Sequence, residues 1–155
     1  MGKVGKKIAI GNDHAGFELK DTVISVLEEY NIEYKDFGCY SAEKAEYPIY
    51  AQKVADAVSK GECTEGILLC GTGIGISIAA NKVKGIRAAV CSDPASSKLS
   101  KLHNNSNILA MGARIVGKEL AKDILKAWLQ AEFEGARHQE RINAISDIEN
   151  GKKLY

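Results

Sequence analysis

Apolar runs of strand length alternate with segments of helical spacing along most of this chain, and few folds accept such a pattern. Lys7 to Gly11 is the first short apolar run. Beyond a polar turn, Leu19, Val23, Val26, Leu27 and Tyr30 recur at three- and four-residue intervals, as on one face of a helix. The pattern repeats with Glu33 to Phe37 as strand and Ile49 to Val58 as helix, then Gly66 to Cys70 as strand with a helix beginning near Gly75. Arg87 to Cys91 and Asn107 to Met111 read as further strands, separated by a polar helix from Pro94 to His103. A helix with Leu120, Ile124, Ala127, Trp128 and Ala131 on one face follows.

Five strands alternating with helices predict an α/β fold, a three-layer Rossmann-like arrangement with a five-stranded parallel sheet covered on both faces. Ligands of such sheets bind at the carboxyl ends of the strands, so the loops after strands carry the function. With 155 residues, 45% of them hydrophobic, a single domain spanning 1–155 is expected. Its segment 134–155 is strongly charged, and Ile142, Ala144, Ile145 and Ile148 make only a narrow apolar stripe. That predicts a C-terminal helix reaching a partner subunit, followed by a loose tail from Lys152 to Tyr155.

Charged residues make up 26% and nearly cancel, leaving a formal net charge of +1. No global field therefore favours nucleic acid or an anionic membrane, and anion binding must be local. The basic start (Lys3, Lys6, Lys7) leads into an apolar run broken by Gly11 and Asp13, which is neither a signal-peptide core nor a spanning segment. A cytoplasmic protein is the expectation. Cys39, Cys63, Cys70 and Cys91 show no CxxC spacing and no histidines at zinc-like intervals, so neither a metal site nor a disulfide framework is indicated.

The strongest motif is Cys70-Gly71-Thr72-Gly73-Ile74-Gly75, at the end of an apolar strand and the start of a helix. Glycines there let successive backbone N–H groups turn toward one point, so the loop can hold an anionic oxygen. The alternative is a tight turn with no ligand. A dinucleotide fingerprint needs GxGxxG and a P-loop needs Gly-Lys-Ser/Thr, and neither pattern is present in the loop. Cys70 stands at the strand end, beside N–H groups of the kind that favour a thiolate, although a buried structural cysteine has the same sequence signal.

The three histidines each have a polar or charged neighbour: Asp13-His14, His103-Asn104 and Arg137-His138. A lone histidine is more often structural than catalytic. Here His14 and Asp13 follow the first strand and His103 precedes the fifth. Arg137 and Arg141, four apart, present two guanidinium forks on one helix face, with His138 beside them. They suit a phosphate, or simply a solvated helix end paired with Glu134 and Glu140. Arg114, just after the fifth strand, is better placed for the same anion.

At these residues the chain resembles the ribose-5-phosphate isomerase B family, within a wider sugar-phosphate isomerase group that includes galactose-6-phosphate isomerase. The resemblance covers nearly the whole chain. It rests on Gly11 to Gly16, Tyr47-Pro48, Cys70 to Ser77, Asn81-Lys82, Gly85-Ile86-Arg87, His103-Asn104, Gly112-Ala113-Arg114 and Gly135 to Arg141. It implies interconversion of ribose 5-phosphate and ribulose 5-phosphate in the non-oxidative pentose phosphate pathway, with no metal and no cofactor. It also implies a homodimer or dimer of dimers with sites between subunits.

By the same resemblance Cys70 is the base, His103 helps open the sugar ring, Asp13 handles hydroxyl protons and Thr72 orients Cys70. Gly71, Thr72, Gly73, Ile74 and Gly75 stabilise the enediolate. His14, Arg114, Arg137 and Arg141 meet the phosphate, the last two from the partner chain with His138 beside them, while Asn104 and Tyr47 contact the sugar. A second subtype of the family uses a glutamate just after the glycine loop, where this chain has Ile76. The competing readings are an allose-6-phosphate or galactose-6-phosphate isomerase of the same group, and a non-catalytic module binding an anionic metabolite. A pure binder needs no ionisable base beside its oxyanion donors, which favours an enzyme.

Overall fold

The computed structural model describes residues 5–155, and Lys3 lies outside them. Strands and helices alternate as β1 (Lys7–Asn12), α1 (Phe17–Glu29), β2 (Glu33–Asp36), α2 (Tyr47–Ser59), β3 (Glu65–Cys70), α3 (Ile74–Ala80), β4 (Ala88–Val90), α4 (Pro94–Asn104), β5 (Ile108–Gly112), α5 (Lys118–Gln130) and α6 (Arg137–Glu149). Every pairing is parallel, and the strand order is β2-β1-β3-β5-β4. The chain builds outward from β1 to β2, then crosses back to β3 on the other side. Such a switch point opens a crevice between the carboxyl ends of the two strands. Here those ends are Asn12 and Cys70.

Side chains alternate across the sheet with period two, which sorts the core into two layers. Ile8, Ile10, Leu69 and Met111 face α1 and α5, against Val23, Val26 and Trp128. Ala9, Leu68, Cys70 and Ala110 face α2 and α3, against Val54 and Ile76. Trp128 is fully buried, and its indole N–H donates to Ser106 Oγ at 2.8 Å.

Two expectations shift. The buried face of α5 is Ala121, Ile124, Leu125, Trp128 and Leu129, whereas Leu120 is 38% exposed. The stripe runs at i, i+3, i+4 and i+7 from Ala121, one residue later than the spacing of the aliphatic residues suggests. β4 covers only Ala88–Val90, because the Arg87 N–H is taken by Asn107 Oδ1 at 2.7 Å.

α4 starts with Asp93 accepting from Ser96 N–H at 2.7 Å and Pro94 in the first turn. It stops where Asn105 takes φ +45°, with Asn105 N–H donating to Lys101 O and Ser106 N–H to Ser100 O. α6 buries His138 and Ile142, but Ile145 and Ile148 are 46% and 59% exposed, so its apolar stripe is only half covered. Residues 152–155 are exposed, and Lys152 Nζ pairs with Asp147 at 3.3 Å. No helix among the described residues is long and apolar enough to cross a membrane.

Candidate active site

The crevice at the switch point is made mostly of main chain. After β1 the backbone turns at Asp13, whose N–H donates to Leu69 O at 3.1 Å and whose Oδ1 accepts from Gly16 N–H at 2.9 Å. A Cβ on Gly16 would stand 2.2 Å from Leu69 O, so only glycine lets the two strand ends approach this closely. After β3 the chain turns again through Gly73, at φ +78°, and Gly73 N–H donates to Cys70 Sγ at 3.1 Å. The glycine loop rests on the end of β5, where a Cβ on Gly112 would meet Thr72 C at 2.4 Å. Ala113 N–H to Cys70 O and Arg114 N–H to Gly71 O, both 2.9 Å, join the two loops.

Side chains close the remaining walls. The Arg114 guanidinium lies over Gly71, with Nη1 3.2 Å from where a Cβ would be. The Tyr47 ring, from the first turn of α2, occupies the space beside Gly75, its Cζ 2.8 Å from the Cβ position there. His14 Nδ1 is 3.2 Å from both N and O of Ala45, tying the irregular segment before α2 to the crevice. The result is a cavity of about 220 Å³ lined by Asp13, His14, Ala15, Tyr47, Cys70, Gly71, Thr72, Gly75 and Arg114. A sulfur, a carboxylate, an imidazole and a guanidinium thus meet at one small hollow beside a turn of glycine amides.

The Thr72 hydroxyl accepts from Ile74 N–H at 3.2 Å, beside the first turn of α3, while Gly73 N–H donates to the Cys70 sulfur. The Ile74 side chain is exposed, leaving only its backbone to serve the loop.

The other predicted residues gather elsewhere. His103 and Asn104 end α4, which runs back toward the amino ends of the strands. The His103 ring stacks on His138 of α6, with centroids 4.4 Å apart and planes within 12°. Glu134 reaches both histidines, Oε1 lying 3.9 Å from His103 Nε2 and Oε2 lying 3.7 Å from His138 Nε2. Burial, then the charges of Arg137, His103 and Arg141, push the His138 pKa below its ordinary value of 6.5, with Glu134 opposing them. Arg137 and Arg141 stand exposed one turn apart. None of His103, Asn104, Arg137, His138 and Arg141 lines the Cys70 cavity.

His103, Glu134 and His138 bring three possible metal-ligand atoms within 4.8 Å of one another. Imidazole lone pairs lie in the ring plane, and two nearly parallel rings do not aim them at one point. A larger hollow of about 530 Å³ opens at the amino end of the sheet and is lined by none of the predicted site residues. The Lys6 to Glu65 ion pair, at 2.6 Å, crosses it.

One contributor escaped the sequence, and another has partners other than those expected. Ala45 acts through its backbone and has no side-chain signal. Glu134 is three and seven residues from the arginines it was expected to neutralise, yet it turns to the histidines, because the segment before α6 is pinned to α4 by Glu134 N–H to Leu102 O at 3.0 Å.

Comparison with known proteins gives the same answer by three routes. A family model described as Ribose/Galactose Isomerase matches residues 8–145. The chain is 57% identical over 144 residues to ribose-5-phosphate isomerase B of Escherichia coli, covering 93% of this chain and 97% of that protein. It is 44% identical over 147 residues to the D-erythrulose-4-phosphate isomerase of Pectobacterium atrosepticum, covering 94% and 97%. The structure of Clostridium thermocellum ribose-5-phosphate isomerase B superposes with a TM-score of 0.92 at 51% identity, covering 94% of this chain and 98% of that one. With the switch-point crevice and its cysteine-glycine loop in place, this chain belongs to the ribose/galactose isomerase family.

Proposed function

We propose that the protein interconverts D-ribose 5-phosphate and D-ribulose 5-phosphate through an enediolate, with Cys70 as the base. One observation carries the reading: Cys70 Sγ, fixed by Gly73 N–H at 3.1 Å, lies in the same cavity as Asp13, His14 and Arg114. The Cys70 thiolate takes the C2 proton of the open-chain aldose, and the electron pair of that C–H bond becomes the C1–C2 double bond. Negative charge then collects on O1, where amides of the Gly71 to Gly75 loop receive it, other than those of Gly73 and Ile74, which the Cys70 sulfur and the Thr72 hydroxyl hold. Removing one such donor typically costs about 10²- to 10³-fold in rate. The thiol returns its proton to C1, while Asp13 carries the O2 proton across to O1. Atoms and charge balance without an added oxidant or reductant.

The phosphate is held by His14 and Arg114 from this chain and by Arg137, Arg141 and His138 from a second copy. His103 and Asn104 come with that second copy, His103 assisting ring opening and Asn104 and Tyr47 contacting the sugar hydroxyls. Their location supports this division, since they cluster away from the cavity they are needed in. The half-covered stripe of α6 fits the same homodimer or dimer of dimers. Four free cysteines accord with a reducing, cytoplasmic setting.

The relative that acts on D-erythrulose 4-phosphate shows that close sequences carry names for other sugar phosphates. The test is kcat/KM on ribose 5-phosphate, allose 6-phosphate, galactose 6-phosphate and erythrulose 4-phosphate, with Cys70→Ala alongside. Preference for ribose 5-phosphate, lost by about 10²- to 10⁴-fold in the variant, is expected. A hexose or tetrose phosphate preference changes the substrate, and an undiminished Cys70→Ala rate removes the base.

A further inference from the structure

Arg87 stands just before β4, half-buried, and has no part in the chemistry described above. Its Nε donates to Asn104 O and Asn105 O, both at 3.1 Å, and its Nη2 donates to Asn105 O at 2.9 Å. Those carbonyls belong to the end of α4, where a helix leaves its last C=O groups without partners. One planar guanidinium satisfies two of them at once.

The arginine is itself fixed from behind. Its N–H donates to Asn107 Oδ1 at 2.7 Å, and Asn107 N–H returns a bond to Arg87 O at 3.1 Å. Asn107 Nδ2 donates to Gly85 O at 2.8 Å, and Gly85 N–H reaches both carboxylate oxygens of Glu149 at 3.1 Å. Glu149 is the last residue of α6. The helix that carries Arg137, His138 and Arg141 is therefore tied to the end of α4 twice. Its first turn meets His103 through the stacked ring, and its last turn is linked through Gly85, Asn107 and Arg87.

We propose that Arg87 is a positioning residue: by bridging the carbonyls of Asn104 and Asn105 it sets the His103-Asn104 turn against α6, and so places the half-site that a second copy uses. The proposal rests on the roles given to His103 and Asn104 above. Lysine cannot substitute, because one ammonium on a flexible stem does not span two carbonyls in a fixed plane. Misplacement by about 1 Å of groups at a reacting centre can cost about 10²-fold.

The test is a double-mutant cycle in the full chain: Arg87→Ala, Arg87→Lys, His103→Ala and Arg87→Ala/His103→Ala. Arg87→Ala is expected to lower kcat by about 10²-fold at the upper end, with Arg87→Lys restoring little of it. In the His103→Ala background the same change should cost less than about two-fold, because the two residues act as one unit. Guanidinium ion at millimolar concentration should restore part of the Arg87→Ala rate, since the 530 Å³ hollow is lined in part by Arg87, Asn105 and Asn107.

An Arg87→Ala rate equal to the parent, or an equal loss in both backgrounds, overturns the proposal. If Arg87→Ala does not fold, Arg87→Lys carries the same cycle and is read in the same way. A parental rate for His103→Ala overturns the catalytic reading and this proposal with it. A slow His103→Ala beside a parental Arg87→Ala overturns this proposal alone.

Discussion

Around Cys70 the important positions are set by main-chain bonds: Gly73 N–H to the sulfur, Gly16 N–H to Asp13, and Ala113 and Arg114 N–H to the glycine loop. Around His103 they are set by side chains: a ring on a ring, a carboxylate between two imidazoles, and two exposed arginines. The first region has its geometry before any ligand arrives. The second places two exposed arginines beside the stacked histidines and Glu134. Proton abstraction needs a fixed site, and in the proposed function the charged group serves the phosphate.

The sharpest way to break this division is to disable one half in each of two preparations. Cys70→Ala and His103→Ala should each be nearly inactive alone. If each site draws its halves from two chains, mixing and reassembly should recover about one quarter of the parental rate, because a two-fold heterodimer keeps one intact site. No recovery would mean that both halves serve within a single chain.

A smaller effect is expected at the charged half. Arg137→Ala should raise KM for a phosphorylated sugar by about 10- to 100-fold, the value of one charge-assisted hydrogen bond, with a smaller change in kcat. An unchanged KM would detach α6 from phosphate binding.

The smallest effect is on stability against pH. Burial and the neighbouring cations hold the His138 pKa below 6.5, so the unfolded chain takes up this proton before the folded one. The stability from a neutral His138 is therefore complete above 6.5, falls as pH drops below it, and stops falling below the depressed folded pKa. His138→Asn should flatten that slope in thermal melts between about pH 7 and pH 5. An unaltered slope would place the acid sensitivity elsewhere.

Much of this was legible in the sequence because period two and period 3.6 are properties of consecutive residues. All five strands and the helices after them follow from those spacings, and the cysteine-glycine loop follows from its position at a strand end. The strand order β2-β1-β3-β5-β4 does not, since nothing local distinguishes β5 inside β4 from the reverse. The separation of His103 from Cys70 was legible: Cys70 ends β3 while His103 precedes β5, and in a parallel sheet those are opposite ends of the strands. The bond from Gly73 N–H to the Cys70 sulfur was not legible, since it depends on the turn at Gly73 and not on any side chain.

Gly112 carries a consequence for motion. With no Cβ on Gly112, the backbone of the loop after β3 lies directly against the backbone leaving β5, and two N–H···O=C hydrogen bonds hold them together. Cys70, the glycine loop and Arg114 thus form one stiff wall, and the bonded amides of Ala113 and Arg114 should exchange slowly with deuterium. Breathing of the crevice falls to the irregular 40–46 segment leading to Tyr47, which is mostly exposed and tied to the crevice by the His14 imidazole at Ala45.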